Sequence, residues 1–316
     1  MNYIIGNNDV SWFLAYLLPE TKLIPHKTLD KQDYNSGPMI IPPCIVDIVK
    51  ENFENVTIKD FERFYDDRGN QTSTEPKNFG KLYSLYTRGK TITEDSYNIN
   101  YSKYVKYVSI DELSPEDSYE LLFNKIKETA NKRVIDISIN SIDLESKTIL
   151  GDDSIKFDNL ISTINVVDLV DLDNSGKIRK YIIQNNNLDG FNLPYNDKFI
   201  YTAKLESEED KILSNLYKQV VVIGKPYFRK TYLKDQILYE SMRNIYDKKI
   251  EGNSIISYFE TTQISDNLNM NKVLGIDLVG KFSEWKDNCT LETIYHTSKQ
   301  LKEFYNSSEN NHKKVL

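Results

Sequence analysis

The stretch "YIIGNNDVSWFLAYLL", residues 3–18, decides the expected fold of this chain. Its first three residues are typical of a short buried strand. Gly6 provides a turn, and Asn8 or Asp9 then caps a helix whose apolar side chains recur at helical spacing. The next apolar stretch, "TKLIPH" (21–26), reads as a second short strand that ends at its proline. The N-terminal residues therefore predict a β-α-β unit, the opening of an α/β fold.

The turn inside this unit resembles a cofactor-binding turn that has changed. Dinucleotide-binding turns read G-x-G-x-x-G, where the second glycine admits the pyrophosphate and the third lets the helix pack closely on the strand. Gly6 keeps the first position, whereas Asn8 and Ser11 take the other two. Asparagine tolerates positive φ and serine is small, so we expect the turn to keep its shape. Asp9 in the first turn of the helix is expected to repel a diphosphate.

Composition bounds the class of protein. The 316 residues are enough for one large domain or two interleaved domains. A net charge of −7 argues against a dedicated nucleic-acid surface, and no run of residues is apolar enough to span a membrane. Cys44 and Cys289 give neither a disulfide framework nor a zinc spacing, so no metal site is expected. We see no signal peptide at the N-terminus, and a cytoplasmic location is the default expectation.

The rest of the chain alternates strand-like and helical segments. The clearest helix is "SPEDSYELLFNKIKETANKR" (114–133), with Ser114 at its N-cap and Pro115 at its first position. The other predicted elements are strands at 134–140, 146–150 and 158–164, mixed loop and strand over 165–220, strands at 219–233, 254–261 and 272–282, and a terminal helix over 290–307.

Three motifs follow the opening unit in order along the chain. They are "GPMIIPP" (37–43), "FDNLISTI" (157–164) and "GKFSEWK" (280–286). With the opening unit they resemble the flavin-dependent amine-oxidase-like superfamily, nearest to the UDP-galactopyranose mutases. The corresponding segments of those mutases read G-P-H-I-F-H-T, yDxvIsTxPl and G-R-[FL]-x-[EG]-[WY]-x-Y. The likeness spans nearly the whole chain.

The resemblance implies an α/β fold with a Rossmann-like dinucleotide-binding domain and an interleaved α+β substrate domain. The first domain is expected to comprise 1–53, 113–164 and 262–316. The second is expected to comprise 54–112 and 165–261.

The resemblance also implies FAD as cofactor and assigns candidate site residues. The expected cofactor-binding residues are Gly6, Asn7, Asn8, Ser11, Gly37, Pro38, Met39, Thr163, Gly280, Lys281 and Phe282. The expected substrate-binding residues are Tyr227, Arg229, Tyr83 and Tyr86, because an Arg fork with tyrosine hydroxyls suits phosphate oxygens. No catalytic side chain is assigned, since the flavin would perform the chemistry.

Several positions depart from the family pattern. Pro25 and His26 stand where the second strand should end in an acid that holds the adenosine ribose. Lys281 replaces an arginine, and Met39 and Pro42 replace two histidines near the flavin. The changes affect cofactor contacts and leave the scaffold strands intact.

Two functions are compatible with this pattern. The first is a flavin-dependent oxidoreductase or isomerase of the mutase/amine-oxidase type, acting on a nucleotide-linked substrate such as a sugar nucleotide, a modified nucleobase or an attached amine. The second is a non-catalytic binding protein on a degenerate flavoprotein scaffold. Both imply a small-molecule or nucleotide-linked partner, and the sequence leaves the substrate, the redox partner and the oligomeric state open.

Overall fold

The computed structural model describes most of the chain. The described residues are 1–26, 40–73, 104–206, 208, 210–211, 219–233, 235–245, 248–264, 267–268, 270–284 and 290–313. Gly37, Pro38, Met39, Tyr83 and Tyr86, which the sequence proposes as site residues, lie outside these ranges.

The strands are, in chain order, β1 (Asn2–Ile5), β2 (Thr21–Ile24), β3 (Val56–Asp67), β4 (Asn70–Thr72), β5 (Tyr104–Ile110), β6 (Ile139–Asp143), β7 (Thr148–Gly151), β8 (Ser154–Lys156), β9 (Asn159–Ser162), β10 (Tyr195–Lys204), β11 (Gln219–Ile223), β12 (Arg229–Tyr232), β13 (Gln236–Ser241), β14 (Lys249–Ile250), β15 (Asn253–Ile264), β16 (Lys272–Val273) and β17 (Ile276–Leu278). The α-helices are α1 (Asp9–Leu17), α2 (Val46–Lys50), α3 (Pro115–Ala130), α4 (Val166–Leu172), α5 (Lys177–Asn185) and α6 (Leu291–Lys313). Short 3-10 turns at Pro43–Ile45 and Asn131–Arg133 precede α2 and follow α3. Among the described helices, none combines the length and the apolar character that a bilayer crossing requires.

The chain divides into two compact units, of which the first contains Met1–Asp33, Glu120–Leu193 and Asn267–Leu316. Its main sheet has the strand order β16-β17-β9-β1-β2. All of its pairings are parallel except β16 with β17, which form an antiparallel hairpin. The strand of the "FDNLISTI" motif, β9, thus pairs in parallel with the N-terminal strand β1, and the predicted α/β fold class is confirmed.

The core of this unit lies on the faces of the parallel sheet. Ile4, Ile5, Leu160 and Ile161 are fully buried, which is the continuous apolar pattern of a parallel strand covered on both faces. Leu14 of α1 is fully buried as well. Each such side chain stabilises the fold by about 1.5–3 kcal/mol relative to an exposed position. The strands that position the candidate site are thus rigidly held.

The second unit contains Tyr34–Tyr119 and Pro194–Asp266. Its sheet has the order β14-β15-β10-β13-β12-β11-β3-β4, and β5 pairs with β3 as well. Most pairings are antiparallel, but β11 runs parallel to the second half of β3. Its tightly packed core is unusually rich in tyrosine, with Tyr201, Tyr227, Tyr232 and Tyr239 all buried.

Three sequence expectations differ from the structure. The sequence predicts mixed loop and strand over 165–220, within the substrate domain, but residues 165–193 contain α4 and α5 and belong to the first unit. Asn165 caps α4 directly after β9, and the Val166 N–H donates to the carbonyl of Phe282, which anchors the segment to that unit. Residues 34–53 and 113–119 fall in the second unit instead of the first. The single strand expected over 272–282 is a β16–β17 hairpin that turns at Leu274–Gly275, where both residues have positive φ.

Candidate functional site

The candidate cofactor site lies at the carboxyl edge of the first unit's parallel sheet. Ile5 pairs in register with Ser162, and Ser162 pairs with Leu278, so β1, β9 and β17 end side by side. In open α/β sheets, ligands bind outside the carboxyl ends of the strands. The residues that follow these strands, Gly6, Thr163 and the 279–284 turn, therefore decide what this edge can hold.

Gly6 is required by its conformation and by its neighbour. Its φ is +148°, and a Cβ built on it lies 2.0 Å from Thr163 Oγ1. The Thr163 hydroxyl donates to the carbonyl of Ile5 at 3.0 Å, and the Thr163 N–H donates to the same carbonyl at 3.0 Å. The turn is therefore closed against β9 by a side chain of the protein itself.

Asn8 caps the helix that begins in this turn. Its Oδ1 accepts a hydrogen bond from the Ser11 N–H at 2.9 Å, and its Nδ2 donates to the Thr163 carbonyl at 2.9 Å. The Ser11 hydroxyl donates to the Asn8 carbonyl at 2.6 Å. One of the N-terminal donors that a phosphate uses in intact dinucleotide-binding turns is thus taken by Asn8.

The charge at this helix terminus is balanced within the unit. Asp9 in the first turn of α1 lies 3.1 Å from Lys127 Nζ on α3. A carboxylate in the first turn stabilises a helix, because it faces the positive end of the helix dipole. The same carboxylate opposes an incoming diphosphate, although Lys127 offsets part of its charge.

The 279–284 turn is also closed by the side chain of one of its own residues, Glu284. Gly280 has φ +116° and lies against Val10 of α1, whose side chain would be 3.6 Å from a Cβ at Gly280. The Gly280 N–H donates to Glu284 Oε1 at 3.3 Å, and the Glu284 N–H donates back to the Gly280 carbonyl at 2.8 Å. Ser283 donates from its hydroxyl to the carbonyl of Ser162 at 2.7 Å, which fixes the turn to β9. A carboxylate therefore occupies a donor that an anionic cofactor atom would need.

The remaining expected cofactor residues differ in how far they are exposed. Lys281 places its ammonium 5.4 Å from the centre of the Phe282 ring, and Phe282 is buried. The end of β2 offers Pro25 and His26, and burial lowers the pKa of His26, which favours its neutral form. Asn7 is exposed beside Gly6.

The described residues therefore match only part of what a dinucleotide's phosphates require. The left-handed Gly6, the nine-residue α1 and the adjacent strand ends have the required arrangement. Asn8 and Glu284 satisfy donors at the two anion-binding positions, and β2 supplies no acid for a ribose. Bound flavin would have to displace the Asn8 side chain from the turn.

The expected substrate residue Arg229 is held by a buried carboxylate. Its guanidinium forks onto Glu240, with Nη2 2.6 Å from Oε2, and Lys198 also pairs with Glu240. Lys198 and Glu240 are almost completely buried, whereas 25% of the Arg229 side chain is exposed. Burial alone would raise the pKa of Glu240, but Arg229 and Lys198 hold it below its usual value. Arg229 is thus fixed by a buried carboxylate while part of its side chain remains exposed.

Tyr227 lies in the tyrosine core of the second unit and is only 2% exposed. Its ring meets that of Tyr239 edge-on at 4.9 Å, and burial together with its hydrogen bond to Glu251 raises its pKa. Burial would raise the pKa of Glu251 as well, but hydrogen bonds from Lys225 and Lys230 outweigh it and lower the pKa to about 2. The structure therefore places Tyr227 in a packed network, and its role towards a substrate stays a prediction.

Sequence reasoning missed Lys198 and Glu284. Glu284 stands inside the quoted "GKFSEWK" motif, and its spacing of four residues from Gly280 was a usable indication of a self-capped turn. Lys198 pairs with Glu240 across adjacent antiparallel strands, a partner that no local pattern reveals. No group of three or more His, Cys, Asp or Glu side chains in the described ranges is arranged to hold a metal ion.

The fold is similar to those of several solved enzymes over nearly the whole chain, one of them a flavin-dependent halogenase. A reduced UDP-galactopyranose mutase has 12% identity and a TM-score of 0.58, with 90% of each chain covered. An oxidoreductase from Methanosarcina mazei has 9% identity and a TM-score of 0.59, with 96% of this chain and 100% of that chain covered. A flavin-dependent halogenase from Brevundimonas has 12% identity and a TM-score of 0.53, with 96% and 71% covered. At these identities the likeness establishes the fold.

No protein-family model matches the sequence, and the comparison with curated proteins gives no match. Function therefore has to be argued from the site and the fold together.

Proposed function

We propose that this chain is a flavin-dependent enzyme of the mutase/amine-oxidase type that acts on a nucleotide-linked substrate. One observation carries the proposal: the turns after β1 and β17 keep left-handed glycines at the same sheet edge, beside the N-terminus of α1. The fold around that edge is similar to that of a flavin-dependent halogenase over 96% of this chain. FAD, a small-molecule partner and a cytoplasmic location belong to the same proposal.

The residues proposed to hold the cofactor are those at the strand ends. The backbone of Gly6, Asn7 and Asn8 would face a phosphate at the start of α1, and Gly280 and Thr163 would flank it. When bound, the flavin supplies the electron transfer or nucleophilic chemistry of the reaction. The protein's own contribution would be to bind it and to orient the substrate.

In the second unit, Arg229 is the proposed contact for an anionic part of the substrate. Glu240 fixes the plane of its guanidinium, so the partly exposed edge is preorganised for phosphate oxygens. Tyr227, Tyr83 and Tyr86 were assigned to the same substrate from the sequence and remain part of the proposal. Of these, Tyr227 would act by packing beneath the site, given its burial.

The proposal is tested by titrating oxidised and reduced FAD while the thermal unfolding and the flavin spectrum are followed. A ligand at 100 times its dissociation constant stabilises the folded state by about 2.7 kcal/mol. Removing the negative charge in Asp9→Asn should tighten FAD binding about two- to fivefold, since charges in the first helical turn contribute about 0.3–1 kcal/mol. Asp47→Asn, an exposed acid in the first turn of α2, is the matched control.

A second candidate is a binding protein that uses this fold without a flavin. It is favoured by the closed turn, in which Asn8 and Glu284 occupy the anion-binding positions, and by Pro25 and His26 at the end of β2. If neither FAD form changes the melting temperature or shows a perturbed spectrum, this candidate replaces the first. A purified protein with bound flavin absorbance would exclude it.

A further inference from the structure

A groove on the second unit has the composition of a nucleotide site that the sequence did not single out. It encloses about 550 Å³, which lies within the usual size range of small-molecule sites. It is lined by Tyr201, Asn244, Ile245, Lys248, Lys249, Ser254, Ile255 and Tyr258. An aromatic wall and two lysines thus face the same space.

The aromatic wall is a stack of two tyrosines. Tyr258 on β15 lies directly opposite Tyr201 on β10, and their rings stack with centroids 5.7 Å apart and an interplanar angle of 22°. Tyr201 is buried, and its hydroxyl donates to Asn244 Oδ1 at 3.0 Å and accepts from the Ile245 N–H. Tyr258 remains 59% exposed on top of this fixed ring. A second planar group can therefore stack on Tyr258 without ordering the ring first.

The cationic side of the groove comes from the β14 region. Lys248 and Lys249 are both exposed, and Lys249 Nζ lies 3.5 Å from Glu206 Oε2 in an exposed ion pair. An exposed pair of this kind is weak, so Lys249 can exchange its partner for a phosphate at small cost. Ser254, which pairs with Lys249 across the β14–β15 hairpin, lies at the same edge, where its side chain hydrogen-bonds the Glu206 carboxylate.

We propose that this groove binds a nucleoside phosphate, with the base stacked on Tyr258 and the phosphate between Lys248 and Lys249. Aromatic stacking accepts any base, and lysines provide point charges for phosphate, so the pair recognises the shared chemistry of nucleotides. The groove is a site separate from the Arg229 contact, because Arg229 is in register with Glu240 and Ile200, and Ile200 and Tyr201 point to opposite faces of the sheet. The inference therefore goes beyond the proposed function. It does not depend on whether a flavin is present.

The experiment titrates the full chain with UMP and AMP, and separately with short oligothymidylate, by isothermal calorimetry and NMR. Uridine and ribose 5-phosphate test the base half and the phosphate half alone. Tyr258→Ala should raise the dissociation constant at least ~5-fold, as base stacking on aromatic side chains is sequence-tolerant and strong. Lys248→Ala with Lys249→Ala should weaken UMP more than uridine and flatten the salt dependence of binding.

The matched controls are Tyr195→Ala, an exposed tyrosine of β10 outside the groove lining, and Lys204→Ala on the same strand. Binding that is lost in Tyr258→Ala and kept in both controls supports the proposal. Free nucleotides binding in this way indicate a mononucleotide source, and oligothymidylate alone indicates a single strand. No binding of either, or equal losses in Tyr258→Ala and Tyr195→Ala, overturns it. A flavin response that survives such a failure leaves the proposed function standing.

Discussion

Asn8 is the residue that the structure sets most directly against a bound flavin, and Asn8→Gly tests this role. The substitution restores the second glycine of the dinucleotide-binding turn. It removes the acceptor that holds the Ser11 N–H and the donor that holds the Thr163 carbonyl, both at 2.9 Å. The vacated N–H then points to the position where a phosphate oxygen is expected.

The magnitude follows from these two hydrogen bonds. Replacing an asparagine N-cap by glycine costs only a few tenths of a kcal/mol, and the bond to Thr163 contributes about 1 kcal/mol. The variant without ligand should therefore be less stable by about 1–2 kcal/mol. Flavin binding to the unchanged protein must break the same two contacts, so the variant is expected to bind FAD about 5–30-fold more tightly.

The assay combines urea unfolding of the apo variant with FAD and ADP titrations followed by fluorescence and thermal shift. Asn7→Gly is the control, because it adds a glycine at the exposed neighbouring position and leaves the cap in place. The reasoning fails if Asn8→Gly loses stability as calculated but binds FAD no better than Asn7→Gly. It also fails if the two variants gain affinity equally, since added turn flexibility would then explain the gain.

Two further predictions concern other parts of the site. Gly6→Ala should destabilise the protein by ~3 kcal/mol or more in urea unfolding, because its Cβ meets Thr163 Oγ1 at 2.0 Å. The control Gly275→Ala should cost about 1 kcal/mol, since that glycine also has positive φ but faces open space. Equal losses in the two variants would show that Thr163 does not fill the turn. The folded-state pKa of Glu251, about 2, lies below its usual 4.5, so its carboxylate contributes stability above about pH 4.5 that is lost as the pH falls through 2. Glu251→Gln should therefore lower stability at pH 7 by about 1–2 kcal/mol, less than the full pKa difference implies because solvent screens this partly exposed carboxylate, and should flatten the decline between pH 5 and about 2. Glu120→Gln at an exposed position serves as control, and an unchanged acid slope would contradict the assignment.

The sequence predicts the opening β-α-β unit well, because the residues that define it are close together in the chain. The cap at Asn8, the apolar run after Met1 and Asn2, and the proline after β2 are enough to define the β-α-β unit. Helix α5 was missed because its N-cap, Gly176, is a left-handed residue without a capping side chain, and the segment "KIRKYIIQN" carries many charges.

The contacts that close the candidate site could not be predicted from neighbouring residues in the sequence. Asn8 and Thr163 are 155 positions apart, and only the parallel pairing of β1 with β9 brings them together. The Arg229–Glu240 pair was more accessible, since the two residues face each other in the β12–β13 hairpin. Reading 219–233 as one run of strand without a register left that pairing undetected.

The strand order of the first unit also bears on how the chain is made on the ribosome. β1 leaves the ribosome first, but its neighbour β9 follows more than 150 residues later, and β17 follows only after the whole second unit has been synthesised. Such distant pairings form slowly, and an unpaired apolar strand is prone to aggregate during the wait. The second unit also joins distant segments, since β3 pairs with β11, but its last strand, β15, is complete while β9 still lacks its partner β17. Nascent chains that stop before residue 276 should therefore carry an ordered second unit and a first unit in which the β9 edge is protease-sensitive, and they should depend on chaperones until the last strand is added.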